Sequence, residues 1–151
     1  MTVHPDLESE MRRTLLAEFG ARAIYGQLAA LTKDAELSQV LAQLQVEEVE
    51  QVRELRRVFD ALGFRARKRS LRRWCLAAVL AMFGALFGVR FALRICCAAE
   101  RTASRWYATF RTWLHEAGRN DLADACGRLG MNKHRHAEIL SAWIEHAPRR
   151  T

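Results

Sequence analysis

Apolar positions recur at helical spacing along most of the chain. Leu15, Phe19, Ala23 and Ile24 mark one stripe, which predicts a helix from about Leu7 to Leu31. Leu37, Leu41, Leu44, Val52, Leu55 and Phe59 mark a second, predicted from Asp34 to Leu62. Asp34 fits its N-cap, and Gly63 fits its stop. The short link between the two predicts an antiparallel hairpin. Two more helices are predicted, from about Arg90 to Glu116 and from about Asp121 to the residues before Pro148. "EAGRND" between them carries the Gly and Asn/Asp of a helix-to-helix link. The chain reads as two hairpins, with no tandem repeat of short period.

The pattern breaks between the hairpins. "FRARKRSLRRW" gathers Arg65, Arg67, Lys68, Arg69, Arg72 and Arg73, and Trp74 then opens an uncharged run of 16 residues to Val89. That is short of the ~18–20 apolar residues that cross a bilayer. Two readings stay open. One is an extra apolar helix lying in a membrane interface, with Trp74 and the basic run at the headgroups. The other is a buried core helix behind a solvated basic turn. Gly84 and Gly88 should bend or end the run.

Composition narrows the class. A chain of 151 residues is one domain, 1–151, with the basic and apolar insert at 65–89. The only prolines are Pro5 and Pro148, so nothing between them forbids helix. Good helix formers dominate, and the expected fold is all-α. A net charge of +7, carried almost wholly by Arg, is either a solvated surface or a surface for an anionic partner. Cys75, Cys96, Cys97 and Cys126 have spacing poor for zinc or a disulfide framework, and read as small buried residues in a reducing compartment. "MTVHPDLESEMRR" is too polar for a signal peptide. The expected location is the cytoplasm, peripheral on the inner face of the cell membrane.

Each long helix also carries polar residues in apolar surroundings. Glu18 sits in "LLAEFGARAIYGQL" and Glu100 in "RICCAAERTASRWY". A glutamate embedded this way is not buried without a partner. The second helix offers Glu47, Glu48 and Glu50, with Gln51 three residues after Glu48. The fourth offers Lys133, His134 and His136. A di-iron site in a helical bundle takes one Glu from each of two helices and Glu-x-x-His from each of two others. Here the order is Glu18, Glu48-x-x-Gln51, Glu100, Lys133-x-x-His136. Taken singly, each Glu reads more readily as a surface residue of an amphipathic helix; the register across four helices favours a site. His4, His115, His134 and His146 lie beside polar neighbours and are expected to face solvent. Tyr25, Tyr107 and Trp106 are expected inside.

The sequence resembles the COQ7 family, the demethoxyubiquinone hydroxylases. The resemblance rests on "EFGARAIYGQL", on "EVEQVRELRRVFDALGFRARKRSLRRW" and on "LFGVRFALRICCAAERTASRWY", and runs from about Leu15 to Trp143. It implies a ferritin-like four-helix bundle, a carboxylate-bridged di-iron centre and a peripheral membrane attachment. It implies Glu18, Glu48, Glu100 and His136 as metal ligands. The chain departs from the family at three points. Gln51 stands where a His is expected, Lys133 stands where a Glu is expected, and the family's last helix has no counterpart. Rubrerythrin-type ferritin-like domains are a more remote resemblance that survives all three.

These departures leave three classes of function. The first is an oxygen-dependent hydroxylase of a polyprenyl quinone precursor, holding one or two irons on an altered ligand set. The second is a metal-free, non-catalytic bundle in which Lys133 replaces the metal, binding a quinone, a lipid or a quinone-biosynthesis protein partner. The third is a basic helical nucleic-acid binder, ranked last because the basic cluster adjoins an apolar run and no nucleic-acid motif is present. A homo-oligomer stays open.

Overall fold

The computed structural model describes residues 3–64 and 88–146. They form four helices: α1 (Leu7–Leu31), α2 (Ala35–Ala61), α3 (Val89–Glu116) and α4 (Asn120–His146). The fold is an all-α four-helix bundle, with bounds within a residue or two of those read from periodicity. Among the described residues no helix is long and apolar enough to cross a membrane. Arg65, Arg67, Lys68, Arg69, Arg72, Arg73, Trp74 and the apolar run as far as residue 87 lie outside the described residues.

Local chemistry sets the helix ends. The Asp34 carboxylate accepts the Leu37 N–H at 3.0 Å, satisfying one donor that the first turn of α2 leaves free. Gly63 and Gly118 both adopt φ of +71°. Each lets the next residue fold back, Phe64 N–H to the Phe59 carbonyl and Arg119 N–H to the Leu114 carbonyl. That closure needs left-handed backbone, which costs glycine nothing.

Within each hairpin the helices pack along their length, α1 on α2 and α3 on α4. Arg119 donates to the Ala61 carbonyl, so the end of α2 lies beside the α3–α4 link. Arg90 donates to the Ile144 carbonyl, so the start of α3 lies beside the end of α4. α2 and α3 therefore run parallel, and Phe64 and Gly88 sit at opposite ends of the bundle. One long crossover between two hairpins is the ferritin-like connectivity.

The core divides into two apolar clusters. Leu7, Met11, Leu55, Phe59, Phe110 and Leu114 belong to one end. Leu28, Leu37, Leu41, Leu44, Leu93 and Leu140 belong to the other. A layer of polar side chains lies between them. Cys96, Cys97 and Cys126 are buried free thiols. Burial first, then nearby carboxylates, pushes the thiols of Cys96 and Cys126 up to about 12, so they stay inert.

Two expectations are corrected. Trp106 is exposed on α3, with its ring stacked over the buried Phe110. Its neighbour Tyr107 takes the inward position, and one helical residue turns a side chain by about 100°. His4 is half-buried: its ring stacks on Trp113 with centroids 3.9 Å apart. His115, His134 and His146 are exposed, while Tyr25 and Tyr107 are buried.

Candidate functional site

The polar layer contains Glu18, Glu48, Gln51, Glu100, Lys133 and His136, all buried. The four helices bring together the six residues singled out from the sequence. Their centre is the Lys133 ammonium. Nζ lies 2.7 Å from each oxygen of Glu48, in contact with Oε2 of Glu18, and 3.4 Å from Oε2 of Glu100. Burial opposes a charge on Lys133, but Glu18, Glu48 and Glu100 outweigh it and hold its pKa above the ordinary lysine range. Glu18 is raised as well, which for a carboxyl favours the neutral form. Burial, countered by Lys133 and reinforced by Glu48, raises it to about 7.

Two tyrosines close the layer from either side. Tyr25 Oη donates to Glu100 Oε1 at 2.5 Å, and Tyr107 Oη donates to Glu18 Oε1 at 2.8 Å. Burial first, and then the carboxylate that each one faces, raises both phenols well above their usual range. They remain neutral donors.

His136 links the layer to the surface. Its Nδ1 lies 3.1 Å from Glu48 Oε1, and its Nε2 lies 2.8 Å from Glu47 Oε2. Burial lowers its pKa, but the bond to Glu48 and the charge of Glu100 raise it more, so the net shift is upward. An imidazolium has two N–H donors, and both find carboxylates here. Glu47 also pairs with exposed Arg135. Burial raises the Glu47 carboxyl, but bonds from Gln43, His136 and Arg135 bring it below its usual range. Sequence reasoning did not single out Glu47 from Glu48 and Glu50. The available signal was its i, i+4 relation to Gln51, which places both toward α4.

Gln51 sits beside His136, with Nε2 3.5 Å from the imidazole Nε2. Its Oε1 is buried without a partner. A cleft of about 470 Å³ between α2 and α4 reaches Gln51 and Glu47 from the surface. Charged and amide side chains form most of its wall, with Val46 and Leu129 as the apolar exceptions.

The chain has no match among protein-family models and none among curated proteins. Its fold is similar to the crystal structure of a protein from Xanthomonas campestris pv. campestris str. ATCC 33913. The two are 20% identical, with a TM-score of 0.80 over 92% of this chain and 89% of that chain. At that identity the likeness concerns the fold alone.

The residues of the layer do not fit a two-iron centre. A bundle site of that kind is built on two Glu-x-x-His pairs, and here each of the two corresponding pairs lacks a member: Glu48 is followed by Gln51, and His136 is preceded by Lys133. Gln51 offers only a neutral oxygen. The Lys133 ammonium has three donors and no acceptor, and it occupies the oxygens of Glu18 and Glu48 that two cations would share. A smaller set survives: donor atoms of Glu48, Glu100 and His136 lie within 4.8 Å of one another.

Proposed function

We propose that this protein is a non-catalytic, metal-free relative of COQ7-like bundles that works at a lipid surface, as a binding partner for a lipid, a quinone or a protein. The observation that carries this reading is the Lys133 ammonium at the centre of three carboxylates. A cation held by charge-assisted hydrogen bonds offsets the repulsion that a metal would otherwise offset. Oxygen activation by a metal pair has no ligand set here. The basic run from Arg65 to Arg73 supports the lipid-surface half of the reading. The polar cleft between α2 and α4 does not suit an isoprenoid tail.

The test is metal per chain, by elemental mass spectrometry, after supplying ferrous iron without oxygen. The wild type should retain none. The double variant Lys133→Glu, Gln51→His should retain about two per chain, because it restores the ligand types of a bundle di-iron site. Two irons on the wild type would sink the metal-free reading in favour of the hydroxylase.

A second reading has its own observation. Glu100 Oε2 is buried with no hydrogen-bond partner, 3.4 Å from Lys133 Nζ and 3.9 Å from His136 Nδ1. A single divalent cation on Glu48, Glu100 and His136 would use that oxygen. One metal per chain in the same experiment would establish this reading instead.

A further inference from the structure

Outside α3, six arginines pair with glutamates: Arg12, Arg13, Arg53, Arg57, Arg128 and Arg135. α3 is different. Arg94, Arg101 and Arg105 are exposed, and none of them meets a carboxylate among the described residues. Arg101 reaches only the Ser141 hydroxyl, at 3.5 Å, and Arg105 only the Thr102 hydroxyl, at 3.2 Å. Their spacing of seven and then four residues places them on one stripe about 16 Å long. The only acidic residue of α3 before its last residue, Glu116, is Glu100, which points inward to Lys133. No counter-charge on the same helix face neutralises the stripe.

The flank toward α1 is apolar, while on the α4 side the Ser141 hydroxyl that Arg101 reaches also donates to Glu145. Trp106 and Phe91 are 37% and 41% exposed on α3. α1 packs beside α3, and between Leu15 and Leu31 its only charged residues are the buried Glu18 and half-buried Arg22. Leu16, Ala17, Gly20 and Ile24 on that stretch are half-buried or exposed. Unpaired guanidinium groups beside an exposed indole match a surface that is anionic outside and apolar just beneath. A nucleic acid matches only the charge.

We infer that the outer face of α3, with Arg94, Arg101, Arg105 and Trp106, is the surface by which the bundle docks on an anionic lipid bilayer. The inference rests on the lipid-surface reading for the class of partner and adds the face and its orientation. Guanidinium groups meet lipid phosphates, Trp106 sits at headgroup level, and the α2–α4 cleft faces away from the membrane.

The test is sedimentation of the full chain with vesicles of phosphatidylcholine, with and without phosphatidylglycerol. Binding should need phosphatidylglycerol and weaken as salt rises toward about 1 M, where screening shortens to about 3 Å. The variant Arg94→Gln, Arg101→Gln, Arg105→Gln should bind about 100-fold more weakly, since each basic residue at such a surface is worth about fivefold. The same three positions changed to Lys should retain most binding. Thermal melts of both variants should match the wild type, because no ion pair is removed. If the Gln variant binds like the wild type, and replacing the basic run from Arg65 to Arg73 abolishes binding, the lipid reading stands and this face is wrong. If the wild type ignores the vesicles, both fall. Salt-sensitive binding to duplex DNA, lost in the Gln variant, would then reassign the face to nucleic acid.

Discussion

Lys133 on α4 and Glu48 on α2 meet in the middle of the bundle, with the ammonium 2.7 Å from both carboxylate oxygens. The pair is fully buried and joins the two hairpins where apolar packing gives way to charge. A buried ion pair is weak as a source of net stability, but costly to break from one side.

Replacing Lys133 with Met keeps most of the side chain's length and removes the cation. Glu18, Glu48 and Glu100 are then left facing one another. The expected loss is about 3–5 kcal/mol, read from urea unfolding near neutral pH. Adding Glu48→Gln should recover part of that loss, because the uncompensated charge causes the cost. An equal or larger loss in the double variant would mean that packing, not charge, holds the layer together.

The layer should also make stability fall as pH rises. The Glu18 carboxyl titrates at about 7 in the fold against an ordinary value of 4.5. Between those values the folded chain holds a proton that the unfolded chain has lost, so each step up in pH favours unfolding. His136 acts in the same direction. Its folded value is raised above 6.5, so its contribution is complete below 6.5 and is lost as pH rises through the folded value. Urea midpoints should therefore be higher near about pH 5.5 than near about pH 8. Glu18→Gln should flatten that slope, and an unchanged slope would remove Glu18 as its source.

Tyr107 and Tyr25 are each expected to matter through one hydroxyl. Tyr107→Phe strips Glu18 Oε1 of its donor, and Tyr25→Phe does the same to Glu100 Oε1. Leaving a buried carboxyl oxygen short of a partner costs about 1–3 kcal/mol. Each variant should lower the unfolding midpoint accordingly while the helix content by circular dichroism stays constant.

Two glycines should respond oppositely to alanine. At Gly130 an added Cβ would stand 3.2 Å from Tyr107 Cβ and 3.5 Å from the Ser104 carbonyl oxygen. Tyr107 is anchored at its far end on Glu18 and cannot retreat. Gly130→Ala should cost about 1–3 kcal/mol. At Gly20 nothing lies within 4 Å, so Gly20→Ala should add about 0.5–1 kcal/mol by helix propensity alone. A gain at Gly130 would mean that α3 and α4 can move apart without disturbing the layer.

The four helices, the cap at Asp34 and the stop at Gly63 were legible in the sequence, because they depend on neighbours within a turn or two. So was the inward set of Glu18, Glu48, Glu100, Lys133 and His136, since a charge in apolar surroundings must find a partner or leave. What that partner is depends on residues far apart in the chain. Tyr107 reaches Glu18 across 89 positions, and Tyr25 reaches Glu100 across 75. Glu47 was hidden beside two similar glutamates until α4 set His136 against it. Trp106 was read as inward along with Tyr107, but adjacent helical positions point about 100° apart, and only the packed bundle decides which ring turns inward. The unpaired stripe on α3 was equally invisible. An arginine count gives net charge, but whether each guanidinium meets a carboxylate depends on which helix faces lie side by side, and only the packed bundle decides that.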